Sequence, residues 1–272
     1  MRRLTACSGF LPFITVVFLN AFVDLGHKII VQNTLFKTFD GPAQIALTAV
    51  VNALILLPFV LVFTPAGFLS DRFAKPRVMR ASAAVAVAIT LGITACYYLG
   101  WFWPAFALTF LLALQSALYS PAKYGYIREL VGESRLAPAN GVVQAVTTVA
   151  ILGGTFAFSV VFEWLFAGSG AATPQATVAA IAPVGWLLVA ASLVELGLTL
   201  RLPEREPGRP EIGFDWGRYA RAQYLRENLA TAWRRPAVRL PIIGLSVFWA
   251  ISQVIVAVFP AYAKARLGID NT

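Results

Sequence analysis

Asn20, Asp24 and Lys28 stand four residues apart, and Gln32 continues the row. Spacing of four keeps side chains on one face of a helix. This row lies inside an apolar run, where a charge is costly unless it meets a partner or faces a cavity. Asp24 and Lys28 can pair along the helix, which lowers the cost of both. Two readings stay open: a mutually neutralised pair that only sets helix packing, or a polar face lining a substrate pathway. His27 is adjacent to that face and is a candidate proton carrier. A second row repeats the pattern, with Gln115, Tyr119 and Lys123 at the same spacing and Ser116 and Ser120 alongside. Lys123 either faces the same cavity or snorkels to the membrane surface. Ser246, Trp249 and Gln253 share a face that would complete the cavity wall. Glu163 and Glu195 each fall near the end of an apolar run and read as carboxylates anchored at the interface. Such rows suit the binding of a charged group inside a membrane. No catalytic constellation, metal spacing or cofactor fingerprint accompanies them. Cys7 and Cys96 are far apart and read as inert thiols.

The elements that hold these rows follow from composition. Of 272 residues, 58% are hydrophobic and 13% charged, with a mean hydropathy of +0.72. A soluble domain carries about 25% charged residues, and this chain lacks the polar residues to coat itself. Seven apolar stretches reach the ~20 residues that a helix needs to cross a bilayer. They run over 10–35, 45–69, 78–99, 103–124, 141–166, 178–200 and 240–263. A transmembrane barrel is excluded because the runs do not alternate. The fold expected is an all-α membrane protein.

The net charge of +9 would suggest nucleic acid in a soluble protein; here it reports orientation. Counted by link between spans, 18 of the 22 Lys and Arg residues fall on one side, with Arg2 and Arg3. Basic residues mark the cytoplasmic side, so the N-terminus and the long link at 201–239 are expected there. That link opens with Pro203, Pro207, Gly208 and Pro210, which break the sixth helix. Further on, Leu225, Leu229 and Trp233 fall at i, i+4, i+8 among arginines. This suits an amphipathic helix on the anionic inner leaflet, or an ordinary connector between two bundles. The organisation expected is a six-helix bundle over 1–200, a basic linker over 201–239, and a seventh helix over 240–272 that starts a second bundle. A six-helix half followed by a long cytoplasmic link is the layout of a two-half transporter. By that layout about five more helices follow Thr272.

The second link places Gly67, Leu69, Asp71, Arg72, Lys75 and Arg77 in close order. A Gly at a helix end permits close packing, and an Asp before the next helix caps it or pairs with arginine. The pattern resembles the signature loop between helices 2 and 3 of major facilitator superfamily transporters. Ala74 replaces that pattern's second Gly, and Pro76 occupies a basic position. Other stretches narrow the resemblance: Phe73-Ala-Lys-Pro-Arg-Val-Met79, Tyr119-Ser-Pro-Ala-Lys-Tyr-Gly125, Leu136-Ala-Pro-Ala-Asn-Gly141, Ser246-Val-Phe-Trp249 and Leu267-Gly-Ile-Asp270. Together with Asn20-Ala-Phe-Val-Asp24, they resemble the lysophospholipid transporter family. The resemblance implies two three-helix repeats in the first half, about twelve helices in all, and residence in the bacterial inner membrane. It implies movement of lysophospholipids from the outer to the inner leaflet for reacylation, with the lipid bilayer as medium and no cofactor. It makes Gly67, Asp71, Arg72, Lys75 and Arg77 part of a cytoplasmic gate. Some relatives are fused to acyltransferase and acyl-carrier-protein ligase domains. No acyltransferase motif is seen here, since Gln32 stands five residues after His27 where an Asp would be required. Two alternatives remain: a transporter of small soluble substrates, or the membrane anchor of a fused or neighbouring acyltransferase.

Overall fold

A computed structural model describes residues 2–206 and 208–268. Met1, Pro207 and residues 269–272 lie outside them, so Ile269 and Asp270 of the last resembling stretch and the helix-breaking role of Pro207 are not placed. The described residues are mostly helical, with one longer irregular connection after Thr199, and contain no strand. Seven helices are long and apolar enough to cross a membrane. We number them α1 (Phe10–Thr38), α2 (Gly41–Leu61), α3 (Lys75–Tyr98), α4 (Phe102–Val131), α5 (Leu136–Phe166), α6 (Gly185–Thr199, which reaches spanning length together with the turn Ala182–Val184) and α7 (Pro236–Leu267).

The expected spans are all present, with two interruptions. The second breaks at Val62 and resumes as Phe63–Arg72. Pro58, one turn earlier, carries no N–H for the helical ladder. The sixth is divided into Pro174–Ala180, a tight turn at Ala182–Val184 and α6. Pro183 in that turn has the same effect. α4 runs on to Val131, so Lys123 and Arg128 are helical rather than in a link.

The helices pack in a pattern with its own symmetry. α1 lies against α5 and α6, while α4 lies against α2 and α3. α1 also meets α4, and α3 meets α6. Exchanging the first three helices for the second three maps this set of pairs onto itself, as two three-helix repeats require. The α1–α5 contact is close. A Cβ on Gly26 would lie 2.3 Å from the Phe158 ring.

Packing divides into two apolar clusters. One gathers Val23, Ile30, Leu35, Ile93, Phe102, Phe158 and Leu188. The other gathers Phe10, Phe13, Val16, Met79, Tyr126, Val143 and Leu202. On α1, α4 and α6 buried polar residues lie between these clusters. Asn20, Gln115, Ser116, Ser192 and Glu195 are all buried there. A polar layer therefore crosses the bundle between two apolar ones.

Candidate functional site

The polar layer is built by three helices. α1 brings Asn20 and Asp24, α4 brings Gln115, Ser116, Tyr119 and Lys123, and α6 brings Glu195. The Ser116 hydroxyl has one proton, which serves Asp24 Oδ2 (2.5 Å) or Gln115 Oε1 (2.9 Å). The Lys123 ammonium lies over the rings of Tyr124 (4.8 Å) and Tyr119 (5.6 Å). It is buried rather than snorkelling to the surface, and it is in the lining of neither cavity described below. Asp24 and Glu195 both act on it electrostatically, though neither forms a direct ion pair with it. Several polar atoms in the layer are buried with no hydrogen-bond partner: Asp24 Oδ1, Gln115 Nε2, Tyr119 OH and both oxygens of Glu195. Buried polar groups are usually paired, so this concentration marks a place where something binds.

A cavity of about 200 Å³ opens from this layer between α1, α2 and α4. Asp24, His27, Lys28, Thr109 and Ser116 are its polar lining, and Ile55, Phe59 and Leu112 are among its apolar walls. Asp24 and Lys28 share the cavity without forming the in-helix ion pair that their spacing allowed. Asp24 turns instead to Ser116, and Lys28 has no charged partner among the described residues. His27 is fully buried with both ring nitrogens engaged. Nε2 is 3.1 Å from Ala105 O and 3.1 Å from Thr109 Oγ1, and Tyr97 OH is 2.8 Å from Nδ1. A carbonyl only accepts, so Nε2–H donates and Nδ1 takes the Tyr97 proton. That arrangement ties α1 to α3 and α4.

Gln32 belongs to a different cavity, of about 320 Å³, with Asn33, Gln44, Thr48, Ser159 and the α7 residues Val256 and Phe259. Asn33 Nδ2 donates to Ser159 Oγ at 3.2 Å. The α1 row thus serves two cavities. α7 reaches the bundle near its C-terminal end, where Lys264 pairs with Asp40 (2.7 Å) and donates to Phe36 O (2.8 Å). Trp249 and Gln253 line neither cavity, and Trp249 is 56% exposed.

Glu195 was expected at an interface, and it is 0% exposed in the heart of the layer. The signal for it was present: Ser192, Glu195 and Thr199 form a polar row at i, i+3, i+7, and all three are fully buried. Glu163 does sit near its helix end, paired with Lys37 at 2.9 Å.

The residues of the second link form a network at the end of the bundle that carries the N-terminus. Lys75 pairs with Glu129 of α4. Its stem crosses Gly125, where a Cβ would lie 2.5 Å from Lys75 Cε. Arg77 and Arg80 both hold Glu204 of the linker, at 3.0 and 3.3 Å. The Arg72 guanidinium lies over Phe68 and Phe73, each at 5.6 Å. Two local expectations change. A Cβ at Gly67 would meet nothing within 4 Å, so the close approach lies at Gly125 instead. Asp71 does not cap α3, whose N-cap is Ala74; Asp71 sits inside the preceding helix, and its carbonyl accepts from Arg209 N at 3.0 Å.

The linker folds back onto this end. Phe214 packs on Phe68 (5.0 Å), and Tyr219 OH donates to Leu61 O. Asp215 caps the short helix Trp216–Ala220 through Gly217 N and Arg218 N. The Glu227 carboxylate beside Arg218 (2.7 Å) holds that guanidinium above its ordinary value. In the helix Gln223–Trp233, Leu225 is half-buried while Leu229 and Trp233 are exposed.

The chain is similar to known proteins. The chain is 30% identical over 259 residues to a lysophospholipid transporter, LplT, of Serratia proteamaculans, covering 93% of this chain and 58% of the relative. It is 29% identical over 266 residues to the LplT of Salmonella paratyphi B, covering 97% of this chain and 59% of the relative. The chain therefore spans under two thirds of the length of these relatives. Among solved structures, that of tetrameric PepTSo2 superposes with a TM-score of 0.54 at 14% identity, over 92% of this chain and half of that one. The Major Facilitator Superfamily model matches residues 13–272. With that match running through six helices paired as two three-helix repeats and into a seventh, the chain belongs to the Major Facilitator Superfamily and is an integral membrane protein.

Proposed function

We propose that this chain is the larger part of a secondary transporter that moves lysophospholipids from the outer to the inner leaflet of the bacterial inner membrane. The observation that carries this reading is the polar layer between two apolar clusters, opening into a small cavity with an apolar wall. A lysophospholipid has a charged headgroup on one acyl tail. Taking that headgroup through hydrocarbon without partners costs several kcal/mol or more. Lys28 and Lys123 supply cations for its phosphate, and Asp24 supplies an anion for a headgroup amine. The similarity to lysophospholipid transporters supports the substrate class.

In this reading the N-terminus, the second link and the long linker lie in the cytoplasm, where 18 of the 22 basic residues would collect. Residues 1–200 act as one rocking half, and 201–239 join it to the half that begins with α7. The contacts of Lys75, Arg77 and Arg80 then close the cytoplasmic side during alternating access. Uptake of labelled lysophospholipid into vesicles tests the proposal. Asp24→Ala in the full chain is expected to abolish uptake while its level in the membrane is kept. Normal uptake by a well-expressed variant removes Asp24 from the pathway. Uptake of a soluble metabolite without uptake of lysolipid overturns the substrate assignment.

A further inference from the structure

The larger cavity, of about 320 Å³ between α1, α2, α5 and α7, differs in chemistry from the one that holds Asp24 and Lys28. Among the described residues no charged side chain lines it. Its polar lining consists of carboxamides and hydroxyls: Gln32 and Asn33 on α1, Gln44 and Thr48 on α2, Thr155 and Ser159 on α5. Asn33 is engaged with Ser159. Gln44 is only 2% exposed, and its Oε1 is buried with no donor.

The α2 residues form a row. Gln44, Thr48 and Asn52 stand four apart, on one helix face, and all three are buried. Both side-chain amide atoms of Asn52 lack a partner as well. One turn further along α2, Ile55 and Phe59 wall the smaller cavity. On α1 the two cavities adjoin, since Lys28 lines one and Ile29 the other. An uncharged hydrogen-bonding row thus leads from the larger cavity towards the charged one.

Buried polar atoms without partners are costly and uncommon, and three on one helix face point to a ligand. A carboxamide both accepts and donates. A phosphate oxygen only accepts and an ammonium only donates, so neither satisfies it fully. An alcohol does both, and it brings no charge to be compensated at membrane depth. A lysophospholipid carries such a group on its glycerol backbone, where a second acyl chain is missing; a glycerol headgroup carries it too. Lys28 and Gln32 are separated by about 6 Å of helix rise, which the few bonds between a phosphate and a glycerol hydroxyl can span.

We propose that the cavity of Gln44 and Thr48 is a hydroxyl-recognition subsite, which binds an alcohol O–H of the lipid whose phosphate meets Lys28. The inference rests on the lysophospholipid reading for its substrate class. Gln44 Oε1 accepts the hydroxyl proton, and the cavity's donors meet the hydroxyl oxygen. Where the hydroxyl is that of the backbone, the subsite also rejects a diacyl lipid, whose ester at that position accepts but does not donate.

Ligand-induced shifts of the thermal midpoint of the purified full chain, read as apparent affinities, test this. The probes are lysophosphatidylethanolamine, with a backbone hydroxyl alone; its 2-deoxy analogue, with none; 2-deoxy-lysophosphatidylglycerol, with headgroup hydroxyls alone; and 1-monoacylglycerol, with hydroxyls but no phosphate. The 2-deoxy ethanolamine lipid is expected to bind about tenfold more weakly than a hydroxyl-bearing lipid, because it leaves a buried carboxamide unpaired. Which of the two hydroxyl-bearing lipids binds tighter tells backbone from headgroup. Gln44→Leu and Thr48→Val should each bring the ratio towards one by weakening the hydroxyl-bearing lipid. Equal binding of all three phospholipids overturns the proposal, as does a preference that survives both substitutions. Stabilisation by monoacylglycerol that Gln44→Leu removes, with none by any phospholipid, overturns the lysophospholipid assignment and keeps the subsite. Stabilisation by no probe overturns both.

Discussion

At the residue scale, the most polar side chains of α1 have separate tasks. Asp24 faces the polar layer, Lys28 lines the cavity, and His27 ties three helices together. Replacing His27 by Phe would leave Tyr97 OH and Ala105 O without their present partner. A buried polar group left unsatisfied costs about 1–3 kcal/mol. His27→Phe is therefore expected to lower the thermal midpoint of the purified protein well below that of Tyr97→Phe, which removes a single hydroxyl. Equal midpoints would mean that the imidazole carries no structural load. Asp24 was legible in the sequence because its spacing from Asn20 and Lys28 is regular. Glu195 was assigned to an interface by its place near a helix end, although its spacing from Ser192 and Thr199 carried the signal, because the end of a helix in the sequence need not be the end of the hydrocarbon layer. α6 is short and begins after a turn at Pro183, so its last two turns stay within the bundle.

At the element scale, contacts between helices depend on a few positions without a side chain. Gly26 admits the Phe158 ring against α1, and Phe22 packs at a tilt on the same ring at a centroid distance of 5.0 Å. A methyl group at Gly26 forces that ring or the helix to move. Overpacking of this kind costs about 1–3 kcal/mol. Gly26→Ala should lower the thermal midpoint, and adding Phe158→Leu should recover part of the loss. If the double variant is no more stable than Gly26→Ala alone, the ring is not the obstacle. The spans themselves were readable, because runs of apolar residues long enough to cross a bilayer have few other uses. Their breaks at Val62 and Pro183 were less so, since a proline inside an apolar run sometimes bends a helix and sometimes ends it.

At the scale of the whole molecule, the linker is a strap across the basic end of the bundle. Arg77 and Arg80 of α3 hold it at Glu204, Asp71 O holds it at Arg209, and Phe68 packs against Phe214. The ion pairs are substantially exposed, so each contributes only about 0–1 kcal/mol. Glu204→Ala should leave the thermal midpoint nearly unchanged yet speed trypsin cleavage at the linker arginines. An unchanged cleavage rate would show that the aromatic and backbone contacts hold the strap alone. An exposed row of Leu229 and Trp233 on the adjacent helix, with arginines nearby, suits contact with lipid headgroups.

The sequence by itself determined the class of molecule, the number of spans, the sidedness of charge and the polar rows of α1 and α4. Each of these depends on hydropathy or on spacing within one helix, and both are local quantities. Tertiary structure alone decided which rows meet. Asp24, Lys123 and Glu195 come from three helices far apart in the chain, and only the packing of α1 against α4 and α6 brings them into one layer. The same packing sent Gln32 to a second cavity and placed Trp249 outside both. Spacing says which side chains share a face; the facing helix says what that face can do.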